Sequence, residues 1–322
     1  MTNRKLFAVL FVGAALVYGG AQGAEQYPMR PVRLIVPFAA GGTFDFVARV
    51  VAQQLTDLWR QQVVVDNRPG GATIVAAEMT AKAAPDGYTM LLSPNSLAAN
   101  PALHKELPYD TRRAFEPLVL VAAQPMALGA NPAFQASSIA ELIALAKADP
   151  EGLSYGTAGI GSGGHLAGEI FKSMARIHIA HVSYKGGNIA MLDVVGNHIP
   201  LVMTGLPNLL PPQRSGKIKI LAITSAKRSG VAPEIPTIGE TVPGYEFTNW
   251  FGLVGPAGIP PDVARRINAD VNAILSAAEA RQKLLEQGFE VMGGTTQDFA
   301  ATVRSDTEKF ARIIRDAGIT VN

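Results

Sequence analysis

Short runs of apolar, β-branched residues alternate along this chain with longer runs in which apolar positions recur every three or four residues. Val32, Leu34, Ile35 and Val36 make the first short run and read as a buried strand. Beyond a loop over 37–42, Phe44, Val47, Val50, Val51, Leu55 and Leu58 fall at helical spacing. The alternation continues with strands over 62–66 and 88–92 around a small-residue helix over 73–84, then two separate strands over 117–123 and 126–129. Ser138, three residues ahead of Glu141, is a capping-box signature for a helix to about 147. Strands over 153–157 and 179–184 each lead through glycines into a helix, the first over 164–175 and the second ending near 195. Strands over 199–203 and 218–224 flank a short helical turn, and 247–254 reads as one more strand. The C-terminal part is mainly helical: Pro260 and Pro261 open one helix, and Thr296 caps another whose Phe299, Val303, Phe310 and Ile314 face inward. Strands and helices in alternation predict an α/β fold with parallel sheets covered on both faces.

The first residues change the picture of where this fold works. Arg4 and Lys5 precede an apolar run over 6–18, and Ala21 and Gly23 stand at −3 and −1 of a cut before Ala24. A run that short, with those flanks, is a secretory signal peptide over 1–23 rather than a membrane span. Without it the chain keeps 26 basic residues of its 28 against 26 acidic ones, so the mature protein is formally neutral. A neutral chain with no Lys/Arg run excludes nucleic acid as an expected partner. The absence of cysteine excludes disulfides, thiolate nucleophiles, Cys-ligated zinc and a lipidated N-terminal Cys. A freely diffusing periplasmic monomer is expected, with no cofactor and no metal.

Candidate chemistry gathers at three glycine-rich strand-to-helix junctions: Phe38 to Asp45, Thr157 to His165, and Tyr184 to Asn188. In open α/β sheets, ligands sit outside the carboxyl ends of strands, where helix N-termini offer bare amides. Gly159-Ile160-Gly161-Ser162-Gly163-Gly164 satisfies the dinucleotide fingerprint, but no acid closes the next strand, which reads His181-Val182-Ser183-Tyr184. Ser162 lacks the glycine two residues before it that a nucleophile elbow needs. It reads instead as a hydroxyl donor to a ligand carboxylate. His178 and His181, three apart on a strand, face opposite sides and cannot share a metal ion, which leaves His181 to line the cleft. Lys185 either neutralises an anion or is a solvated lysine at a helix entry. Asp45 either compensates the helix dipole or selects a donor group on the ligand. Trp250 and Phe251 read as core or hinge packing.

These residues belong to an ordered set. Tyr27-Pro28, Arg30-Pro31, Arg33 to Phe38, Gly41-Gly42 with Asp45, Asn67-Arg68-Pro69-Gly70 and Pro85-Asp86-Gly87-Tyr88 come first. Asn100-Pro101, Leu107 to Asp110, His165-Leu166-Ala167, Tyr184-Lys185-Gly186, Leu221 to Ser225 and Gly255 to Gly258 follow. As a set they resemble the Bug-type periplasmic receptors of tripartite tricarboxylate transporters. The resemblance implies a type II-like, two-lobed periplasmic binding protein, each lobe a sheet flanked by helices, with hinge crossovers. Lobe one would take 24–124 and 247–322, and lobe two 125–246. It implies no catalysis but capture of a small carboxylate (di- or tricarboxylate, acidic amino acid or aromatic acid) for membrane permease subunits. The ligand-binding residues it implies are Phe38, Ala39, Gly42, Asp45, Ser93, Asn95, Thr157, Gly159, Ser162, His165, Lys185 and Asn188. Ala40, Ser183 and Ile189 stand where the family often has proline, so loop shape and ligand identity are this chain's own. Two alternatives share the same residues: a ligand-sensing partner of a sensor kinase, and a periplasmic enzyme.

Overall fold

The structure is a computed structural model that describes residues 27–316. The expected signal peptide and its cut before Ala24 lie outside the described residues.

Its first half opens with β1 (Val32–Val36), α1 (Thr43–Trp59), β2 (Val63–Asn67), α2 (Ile74–Ala81), β3 (Thr89–Ser93) and α3 (Ser96–Leu103). β4 (Phe115–Ala130) then leads into a second half of α4 (Ile139–Ala148), β5 (Ser154–Thr157), α5 (Gly163–Ala175) and β6 (Ala180–Ser183). That half continues with α6 (Gly187–Val195), β7 (Leu201–Gly205), α7 (Leu206–Arg214) and β8 (Lys219–Ile223). β9 (Thr248–Pro256), α8 (Pro261–Ser276), α9 (Ala278–Glu286), β10 (Glu290–Val291) and α10 (Thr296–Asp316) return to the first half. The strand order is β2-β1-β3-β9-β4-β7-β5-β6, with β8 and β10 also on β4.

The all-parallel expectation is corrected. β1, β2 and β3 are parallel, as are β5, β6 and β7, but every pairing of β9 and β4 is antiparallel. The alternating grammar holds only where a helix connects successive strands. The two strands expected over 117–123 and 126–129 are also one, the 16-residue β4. Pro125 does not break it, because that is where β4 changes partners, from β9 on one side to β7 and β8 on the other. A proline lacks the N–H a ladder needs, and a change of partner tolerates that gap.

The chain's two passages between halves, near 125 and near 247, are stitched at one residue. The fully buried Thr224 hydroxyl accepts from the Met126 amide and donates to the Phe247 carbonyl, both at 2.8 Å. Its own amide donates to Met126 O, and the Phe247 amide donates back to Thr224 O.

Local signals mostly land where the sequence puts them. Ser138 Oγ accepts from the Glu141 amide, but the Glu141 carboxylate reaches the Ser137 amide, one residue outside the expected box. The expected Thr296 cap is also corrected. Thr295 Oγ1 accepts from the Asp298 amide and Asp298 Oδ2 accepts from the Thr295 amide, so Thr296 is the first helical residue. Trp250 and Phe251 are buried: Trp250 Nε1 donates to Asp306 and its ring meets Phe299 edge-on, while Phe251 packs on Phe44.

Candidate functional site

Four strand ends, those of β1, β5, β6 and β7, bring their helix N-termini to one place between the halves. There lies an inner cavity of about 30 Å³, room for about two water molecules. Its walls are Phe38, Ala39 and Gly42 to Phe44 of the first junction, Ala158 and Ser162 to Gly164 of the second, and Gly186 and Gly187 of the third. The fourth wall, Met203 to Gly205 with Asn208, comes from β7 and α7, which join without a glycine-rich loop. The floor is Gln124, Met126 and Asn249, from β4 and β9. No charged side chain lines this cavity, so an anion there would rest on dipoles and hydroxyls.

The α5 junction is open to an anion. Ser162 caps the helix, its Oγ accepting from the His165 amide at 3.3 Å. A hydroxyl that accepts keeps its own proton to give. The amides of Gly163 and Gly164, in the first turn, have no partner within the helix. The helix can come this close because Gly164 faces the Met203 carbonyl, with no space for a Cβ. Gly159 and Gly161 take positive φ to make the loop.

The expected ligand residues separate into two groups. Phe38, Ala39, Gly42 and Ser162 line the inner cavity. Gly159 and Lys185 line a larger outer cavity of about 540 Å³, which shares Phe38 and Ala158 with the inner one and is closed on its far side by Gly70 to Thr73 and His104. Lys185 is therefore a cation of the outer cavity, not of the inner one.

Six others line neither cavity. Asp45 is buried, with Oδ2 accepting from the Gly41 amide at 3.0 Å and from Arg49 Nε at 2.9 Å. Burial pushes its carboxyl up, but hydrogen bonds from Arg49, Gly41 and Asn67 together outweigh that and hold it below its ordinary value. Ser93 Oγ turns to the Pro94 carbonyl. Asn95 stitches α3 to β9 by donating to Thr248 O and accepting from the Trp250 amide. Neither lines the inner or the outer cavity. Thr157 Oγ1 bonds His181 Nε2 at 2.7 Å and accepts from the Gly159 amide. His165 Nδ1 accepts from the Gly161 amide, and its ring lies 4.4 Å from that of His181. Burial holds both imidazoles neutral, with His181 lowered to about 3 by burial, the neighbouring His165 and Lys172. His181 thus braces the loop from behind rather than lining the cavity, while His178 is exposed and bonds Pro150 O. Asn188 stands at the start of α6, its Nδ2 about 4.0 Å from where a Gly41 Cβ would be, so it meets the first junction across the cleft.

The floor residues Gln124 and Asn249 escape a search for glycine loops. Gln124 is a polar residue inside the apolar run 118–130, and a buried polar residue in such a run was the available signal.

Comparisons with known proteins place this arrangement. The profile of the "Tripartite tricarboxylate transporter family receptor" matches residues 47–319. Protein BugT of Bordetella pertussis is 32% identical, over 99% of both chains. The structure of R. palustris Rpa4515 with adipate is 35% identical with a TM-score of 0.87, covering 92% of this chain and all of that one. MatC of Rhodopseudomonas palustris with bound malate is 27% identical with a TM-score of 0.85, covering 89% of this chain and all of that one. No helix among the described residues is long and apolar enough to cross a membrane. The chain belongs to the tripartite tricarboxylate transporter receptor family, and its fold is that of that family's periplasmic binding proteins.

Proposed function

We propose that this protein is secreted, captures a small carboxylate between its two lobes in the periplasm, and delivers it to the permease subunits of a tripartite tricarboxylate transporter. The lobes are 24–124 with 247–322, and 125–246. The observation that carries the reading is the uncharged inner cavity, where the α5 amides and the Ser162 hydroxyl converge with the Phe38–Phe44 loop of the other lobe. Amides at a helix start hold an anion by hydrogen bonds and by the positive end of the helix dipole. The adipate and malate seen in two relatives are small carboxylates, which supports the same class here. About 30 Å³ is too tight to admit such an acid as the halves stand. The lobes therefore part and close about the Thr224 stitch, the hinge closure of a binding protein. The binding set is Phe38, Ala39, Gly42, Ser162, Gly163 and Gly164, with Gly159 and Lys185 in the outer cavity.

The test is a thermal-shift panel of mono-, di- and tricarboxylates, acidic amino acids and aromatic acids, each beside its amide or ester. One acid raises Tm, by about 2.7 kcal/mol of stabilisation at 100 times its Kd, and the matched neutral compound does not. A neutral sugar that stabilises the protein while every acid fails sinks the reading.

A further inference from the structure

At the cavity floor the hinge strands place two amides with unmet hydrogen-bonding capacity. Gln124 on β4 and Asn249 on β9 are register partners in the ladder, fully or almost fully buried. Neither Oε1 nor Nε2 of Gln124 has a partner, and Asn249 Oδ1 has none. Both side chains line the inner cavity. Each also lies against a glycine of the opposite lobe. A Cβ at Gly205 would come within 2.5 Å of Gln124 Nε2, and one at Gly163 would strike the Asn249 amide. A buried polar atom left unpaired carries a desolvation cost that native structures seldom accept without a use for the group.

A primary amide turned either way presents one acceptor and one donor end. Two such amides side by side match a group that donates as well as accepts. A bare carboxylate would only accept and would face amide oxygens. We infer that Gln124 and Asn249 are specificity-determining residues that read a hydroxyl or amino substituent on the ligand, so that the preferred ligand is a hydroxy- or amino-substituted carboxylic acid. This rests on the carboxylate-receptor reading above: the acid group sits on the α5 amides, and the substituent points down to the hinge. Because each amide meets a glycine of the other lobe, the contact is completed as the lobes close.

The experiment is calorimetry with succinate, glutarate and adipate, each beside its hydroxyl and its amino derivative. Wild type is compared with Gln124→Met and Asn249→Leu, which keep side-chain size and remove both polar ends. At whichever chain length binds, a substituted acid binds wild type about tenfold or more tighter than its parent. Both variants reduce that ratio to about one. The hydroxyl and amino arms separate the two sources of the donor. A wild type that binds the parent as tightly as either derivative, or variants that keep the preference, overturn the floor assignment and leave the carboxylate reading standing. If these acids fail but another acid of the thermal-shift panel binds with no hydroxyl or amino substituent, this inference alone falls. If no acid of either set binds, the carboxylate reading falls and this inference with it. Thermal unfolding of the ligand-free variants gives a further check. Both unfold at or above the wild-type temperature if the amides serve a ligand, and a drop of several degrees makes them structural.

Discussion

The junctions before α1 and before α5 are built to one plan, a strand, a glycine loop and a helix start, yet they treat charge in opposite ways. Before α1 the cap is Gly42, without a side-chain bond, and an acid stands in the first turn. That acid, Asp45, turns back to hold the Gly41 amide, so the helix's positive end already faces a carboxylate. Before α5 the cap is the Ser162 hydroxyl and the first turn holds no acid. The neighbouring imidazoles are neutral because burial disfavours their charged form. One junction is electrostatically satisfied by its own chain, and the other is left for a ligand to satisfy. On the carboxylate reading proposed above, the α5 side would seat the anion and the α1 side would be the wall that closes on it.

The largest effect that separates the two junctions is steric. Gly164→Ala forces a methyl group onto the Met203 carbonyl, a backbone atom that cannot swing away. It should cost about 1–3 kcal/mol of stability. At Gly42 the nearest atom to an added Cβ is Ala39 O at 3.7 Å, and φ is −90°, so Gly42→Ala should leave Tm close to wild type. Urea midpoints of the two variants measure the contrast. Equal losses would show that the α5 helix is not docked on β7 as closely as described.

An effect of similar size falls on affinity. On the proposed reading, Ser162→Ala removes a donor to the ligand's carboxylate and should cost about 1.5–3 kcal/mol of binding. Thr43→Ala, at the first residue of α1 on the opposite wall, should cost less than half as much. Calorimetry with the acid found by the panel decides it. A greater loss at Thr43 reverses the assignment of seat and wall.

Much of this contrast can be read in the sequence, because glycine loops and caps are local. The three junctions, the Ser162 position and the acid in the first turn of α1 all follow from residues a few places apart. What the sequence hides is set by contacts over long separations. Asn95 is a polar residue after a strand, as a ligand residue would be, yet its amide is used up by Thr248 and Trp250, more than 150 positions away. Gln124 and Asn249 become neighbours only because β4 and β9 pair antiparallel. That pairing is the part of the sheet that departs from alternating grammar. The β7–α7 wall carries no glycine loop to mark it, so nothing local points to Thr204 or Asn208.

The smallest effect, and the one that tests the electrostatic half of the comparison, is at Asp45. Asp45→Asn keeps an oxygen for the Gly41 amide but gives up the charge at the helix start and the pairing with Arg49, whose side chain is 59% exposed. An ion pair with so exposed a partner is heavily screened, and an acid at a helix N-terminus is worth about 0.3–1 kcal/mol. The loss at neutral pH should fall in that range. Its sign with pH follows from the carboxyl being held below its ordinary value in the fold. The stabilisation is complete above the unfolded carboxyl's value of about 4 and is lost as pH falls through the lower folded value. Wild type and variant should therefore differ at pH 7 and converge in urea midpoints as pH falls below the unfolded carboxyl's value of about 4. Anion affinity should hold or rise slightly in the variant, because a negative charge near the cleft is gone. A variant that binds the acid more weakly while its midpoint is unchanged would make Asp45 a ligand contact, and the α1 junction would then be a second seat rather than a wall.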